Sequence, residues 1–251
     1  MRNKDIDNAY KEKIKKMTVQ EILKELEKLG DANTKKVLMT HGAKEPFFGV
    51  KVADLKNILK KTKKNHQLAL DLYKTGNSDA MYLAGLMADE TKVTKEQLEE
   101  WVEQAYWYYL SEFAVPWVTA ESKYGFDMGI KWIASDKETI ASAGWATLAQ
   151  MTSLQQYSEL DIEAYSKLLD KIEKEIGNAQ PRVKYTMNGF VIAVGANIEA
   201  LRNKAIKVAE KNGKVSVDMR GTACKVPVAK DYIQKLINEG RAGKKRKSFR
   251  N

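Results

Sequence analysis

The stretch "TVQEILKELEKLG", residues 18–30, reads as a helix from its cap to its stop. Thr18 and Glu21 stand at capping-box spacing, so the hydroxyl and the carboxylate each satisfy an amide at the helix start. Val19, Ile22, Leu23, Leu26 and Leu29 recur at intervals of three and four, and Gly30 ends the run. An apolar stripe of this kind must be covered by another element. The rest of the chain says which kind.

The same pattern returns at 50–62 (VKVADLKNILKKT), 77–89, 94–110 (TKEQLEEWVEQAYWYYL), 135–151, 161–177, 182–195, 197–211 and 226–240. Alternation of the strand type is confined to "KVSVDM", residues 214–219. Many helices of roughly 10 to 17 residues, joined by short polar links, suit an all-α solenoid of antiparallel helix pairs, with a globular all-α domain as the alternative. No linker divides the chain. It reads as a charged extension 1–17, a helical domain 18–240 and a basic tail 241–251.

Of the 251 residues, 43% are hydrophobic and 30% charged, with only 4 Pro, which excludes a low-complexity chain. No apolar run reaches membrane-spanning length, and "MRNKDIDNAYKEKIKKM" lacks the apolar segment of a secretory signal, so a cytoplasmic location is expected. Cys224 stands alone, and His41 and His66 lack zinc-site spacing, so neither a disulfide nor a metal or other cofactor is expected.

The formal charge of +10 points to a polyanionic partner. Arg241, Lys244, Lys245, Arg246, Lys247 and Arg250 fall in the tail with no acid among them, as a solvated segment or a nucleic-acid arm. Lys51, Lys56, Lys60, Lys61, Lys63 and Lys64 are set against a single acid, Asp54. Lys56, Lys60 and Lys63 share a helix face, as a phosphate-tracking stripe or a merely solvated one. Arg182 and Lys184 are further basic candidates.

"AYWYYLSEF", residues 105–113, places a run of four aromatics, Tyr106 to Tyr109, beside a carboxylate. On one continuous helix over 103–115, Tyr106, Leu110, Phe113 and Ala114 form a core stripe, ended or kinked at Pro116. Tyr108 and Glu112 then lie about 200° away, outside the core, where ring and carboxylate both favour a cationic or electron-poor ligand. Tyr108 capping the core beside a solvated Glu112 is the plainer reading.

The order of "FFGVKVADLKNILKK", "SDAMYLAGLMAD", "AYWYYLSEFAVPWV", "KWIASDKETIASAGWATL" and "RVKYTMNGFVIAVG" resembles the AlkD-like DNA alkylation repair family over about residues 20–240. The resemblance implies HEAT-like helical repeats around a concave basic groove. It also implies a monomer acting on double-stranded DNA and hydrolysing the N-glycosidic bond of N3- or N7-alkylated purines. In such glycosylases an aspartate is flanked by two tryptophans; Glu112 falls on the aspartate position, Tyr108 and Phe190 on the tryptophan positions, and Ser142 near a DNA-contacting arginine. Glu112 would then stabilise positive charge developing on the sugar and position water. Some branches of the family bind branched or distorted DNA without hydrolysis, and helical solenoids also serve as protein-interaction scaffolds.

Overall fold

The computed structural model describes residues 17–218 and 225–250. Residues 1–16, which hold nearly all of the charged extension, residues 219–224 with Cys224, and Asn251 lie outside the described residues. Thirteen α-helices and no strand occur among the described residues; 214–218, read as alternating, takes no regular structure. Strand-type alternation needs a sheet edge to pair with, and an all-helical neighbourhood offers none. The span 18–240, read as one domain, comprises two compact units that meet in sequence at Asp89 and Glu90.

The first unit holds α1 Val19–Leu29, α2 Ala32–Thr40, α3 Val52–Thr62, α4 His66–Tyr73 and α5 Ser78–Met87. The capping box at α1 is made in full. Every residue of α5 is buried, and α1, α3 and α4 pack around it. Its one acidic residue, Asp79, accepts from the amides of Phe48 (2.6 Å), Gly49 (3.0 Å) and Val50 (3.1 Å), so the loop before α3 is capped by a buried carboxylate. Gly49 takes φ +81° there, and a Cβ would lie 2.7 Å from the main-chain nitrogen of Lys35. Only glycine fits both demands.

The second unit holds α6 Lys95–Gln104, a π-helix Tyr109–Ala114 that runs directly into α7 Val115–Glu121, then α8 Gly125–Ile133, α9 Glu138–Leu154, α10 Ile162–Glu175, α11 Pro181–Asn197, α12 Arg202–Asn212 and α13 Ala229–Asn238. Long α9 and α11 lie against each other at its centre; α7 and α8 cover α9, while α12 and α13 cover α11. The link between α8 and α9 is short, which makes them antiparallel neighbours. Their approach is close because Gly144 faces main chain: a Cβ there would come within 2.6 Å of the Ile133 nitrogen and 2.8 Å of the Gly129 oxygen. Around these helices Trp145, Tyr165 and Phe190 form a fully buried aromatic core.

Candidate functional site

The aromatic segment does not continue α6. That helix stops at Gln104, and the amides of Leu110 and Ser111 both reach the carbonyl of Trp107 at 3.0 Å as the wider π-turn begins. A π-helix carries i→i+5 bonds, so side chains three and four apart no longer mark one face. Two assignments are corrected by this: Phe113, placed in the core stripe, is 37% exposed, and Glu112, placed outside the core, is only 4% exposed. Leu110 and Ala114 are buried as that stripe requires. Pro116 does not end the helix but stands in the first turn of α7, where its missing amide is tolerated. The Glu112 carbonyl, which Pro116 cannot serve, accepts instead from Gln150 Nε2 of α9 at 3.3 Å.

The Glu112 carboxylate meets the guanidinium of Arg182, from the first turn of α11. Arg182 Nε donates to Oε1 at 2.7 Å, and Nη2 donates to Oε2 in the parallel arm of the fork. The same guanidinium lies over two rings, 4.7 Å from the centroid of Tyr108 and 4.4 Å from that of Tyr185. Its main chain is fixed too, because the Arg182 amide donates to Glu138 Oε1 at 2.8 Å. Burial pushes the Glu112 carboxyl up to about 7, against the lowering effect of Arg182. For Arg182 burial works downward, yet the hydrogen bonds and charge of Glu112 leave its pKa raised. Tyr108 is braced in turn by edge contacts to Trp107 (5.4 Å), Tyr109 (5.1 Å) and Phe113 (6.3 Å). Four side chains thus close on one another as carboxylate, guanidinium and two rings.

Of the residues assigned to the site by sequence, Tyr108 and Glu112 are brought together and Phe190 is not. Phe190 has no exposed surface; it stacks on Tyr165 at 5.6 Å and meets Trp145 edge-on at 5.2 Å. It is a core residue, and the expectation that it lines the site is corrected. Tyr185 takes the aromatic place beside the pair. Five residues separate Tyr185 from Phe190, a turn of about 140°, whereas Arg182 and Tyr185 are three apart and share a face. That three-residue spacing is the signal which sequence reasoning overlooked. Ser142 is fully buried and donates to the Thr139 carbonyl at 3.0 Å, a helix-internal role.

The basic candidates divide. Arg182 is engaged by Glu112 and is not a free phosphate contact, while Lys184 beside it is half-buried. Within the first unit, Lys51 and Lys60 are exposed and Lys56 half-buried, but Lys63 lies beyond the end of α3 at φ +60°, so the stripe has two helical members rather than three. The tail is not a solvated arm over its described length. Gly243 donates to the Ala196 carbonyl (3.0 Å) and Arg246 to that of Ser153 (2.8 Å), both through the main chain, while Lys245 Nζ donates to the Thr152 carbonyl (2.8 Å). It ends at Arg250, 4% exposed, whose guanidinium reaches Glu121 at 2.6 Å and also pairs with Glu90. Lys244, Arg246 and Lys247 keep exposed side chains. Among the described residues no cluster of His, Cys, Asp or Glu is placed to hold a metal ion, and no helix is long and apolar enough to cross a membrane.

Stacked helices of this order, with an aromatic and carboxylate site between π-helix and α11, define an all-α protein of the HEAT-like repeat class. The chain belongs to the DNA alkylation repair enzyme family, whose model matches residues 22–225. It is similar to uncharacterized protein Lin0241 of Listeria innocua serovar 6a and to uncharacterized protein Lmo0209 of Listeria monocytogenes serovar 1/2a. Each is 34% identical over 230 residues, covering 88% of this chain and 98% of the relative. A solved structure with a TM-score of 0.86 and 36% identity covers 94% of this chain and 100% of its own. It represents a new family of proteins related to the HEAT-like repeat DNA glycosylases with affinity for branched DNA structures.

Proposed function

We propose that this protein binds branched or distorted DNA and does not cleave the glycosidic bond of alkylated purines. The carrying observation is the fork between Arg182 and Glu112. A glycosylase carboxylate has to face the positive charge that develops on the sugar. Here both carboxylate oxygens already face a cation, and Tyr108 and Tyr185 cover that cation. Exchanging it for a sugar cation means opening a buried ion pair, a loss of about 3 to 5 kcal/mol before any chemistry begins. The 36%-identical relative with affinity for branched DNA supports the same reading, and so does the net charge of +10.

The test runs two assays on one preparation. Duplex carrying 7-methylguanine is assayed for released base, and a three-way junction is compared with linear duplex for affinity over a salt series. The expected outcome is no base release, with the junction preferred and its affinity falling steeply with salt. Base release by the unmodified chain that disappears in Glu112→Gln would overturn the proposal in favour of a glycosylase.

A further inference from the structure

A cleft of about 420 Å³ opens in the second unit between α9, α11, α13 and the C-terminal tail. Arg241, Lys244 and Arg246 stand on its rim, and none of the residues around it is acidic. Arg241 is paired with Glu239 at 3.0 Å, and Arg246 lies over the Phe249 ring at 5.1 Å. Lys244 has no side-chain partner among the described residues. A rim of this kind attracts a phosphate.

The interior asks for more than a phosphate. Ala149, Ala193 and Ala196 keep one wall shallow and apolar, and Tyr232 and Phe249 add aromatic surface. Gln150 and Asn197 add polar side chains to the same lining. A nucleobase has a flat apolar face, edge donors and, through its sugar, a phosphate.

We infer that the cleft holds one unpaired nucleotide, with its base against the alanine and aromatic wall and its phosphate at Lys244 and Arg246. This rests on the branched-DNA reading, since a branch point supplies nucleotides outside the paired stack. The cleft volume lies in the range of pockets for ligands of this size.

The experiment uses the full chain and fluorescence anisotropy with two three-way junctions, one fully paired and one carrying a single unpaired nucleotide at the branch. Calorimetry with dAMP and with inorganic phosphate separates a nucleotide site from a plain anion site. The unpaired nucleotide is expected to tighten binding about tenfold, the scale of one stacked base. Ala193→Trp, which fills the cleft without changing charge, removes that increment, and Lys207→Glu on α12 keeps it. Should Ala193→Trp fail to fold, the exposed pair Lys244→Glu and Arg246→Glu carries the same comparison. Equal affinity for the two junctions, an increment that survives both cleft variants, or equal binding of dAMP and inorganic phosphate overturns the inference. If dAMP binds and the unpaired nucleotide tightens binding while the fully paired junction is no tighter than linear duplex, the nucleotide site stands and the branched-DNA reading falls.

Discussion

Arg182 and Glu112 stand 70 residues apart and share one buried fork of hydrogen bonds, so α11 and the π-helix are locked by charge as well as by packing. Arg182→Ala leaves the carboxylate buried without its cation. We expect a loss of about 3 kcal/mol in urea unfolding at pH 8. The loss shrinks at pH 5, because the unpaired carboxyl then takes up a proton. A cost independent of pH would show that Glu112 is not the group left uncompensated.

The raised pKa of Glu112 has its own pH signature. In the folded chain the carboxyl titrates near 7, whereas the unfolded chain titrates near the ordinary glutamate value of 4.5. The folded state thus holds a proton that the unfolded state has already lost between these two values. This contribution is complete below the unfolded pKa and is gone once pH has risen through the folded one. Relative to Glu112→Gln, the unmodified chain should lose stability as pH rises from about 5 to 7, with a slope approaching 1.4 kcal/mol per pH unit. Parallel stability curves for the two proteins would contradict the assignment.

Gly144 tests the packing that positions the site. Its missing Cβ is required by main-chain atoms of α8, which cannot rotate away as a side chain can. Gly144→Ala should therefore destabilise by about 1 to 3 kcal/mol, although alanine is the better helix former. Thermal unfolding followed by circular dichroism measures it, and a stabilised variant would refute the close approach.

The tail is held at its end by Arg250 between Glu121 and Glu90. Arg250→Ala removes the cation from a buried acidic pair, and we expect the segment from 241 onward to become rapidly cleavable by protease while the helical core resists. Salt should weaken this anchor little, because buried pairs are poorly screened. Unchanged protection of the tail would mean that its main-chain hydrogen bonds to Ala196 and Ser153 suffice.

The sequence by itself determined the local parts. The Thr18 and Glu21 capping box, the apolar stripe of α1 and the long helices α9 to α11 could be read directly, because each is specified by residues three or four apart. Tyr108 and Glu112 were recognisable as a pair for the same reason. Their surroundings were not. A face drawn with helical spacing gave Glu112 to the outside and Phe113 to the core, and the π-helix reversed both. Arg182 as the partner of Glu112, Tyr185 in place of Phe190, and Arg250 as an anchor 129 residues from Glu121 were decided only by tertiary structure. Helix caps and amphipathic stripes are fixed by neighbours along the chain, whereas burial of a charge and its choice of counter-ion depend on which distant helix arrives beside it.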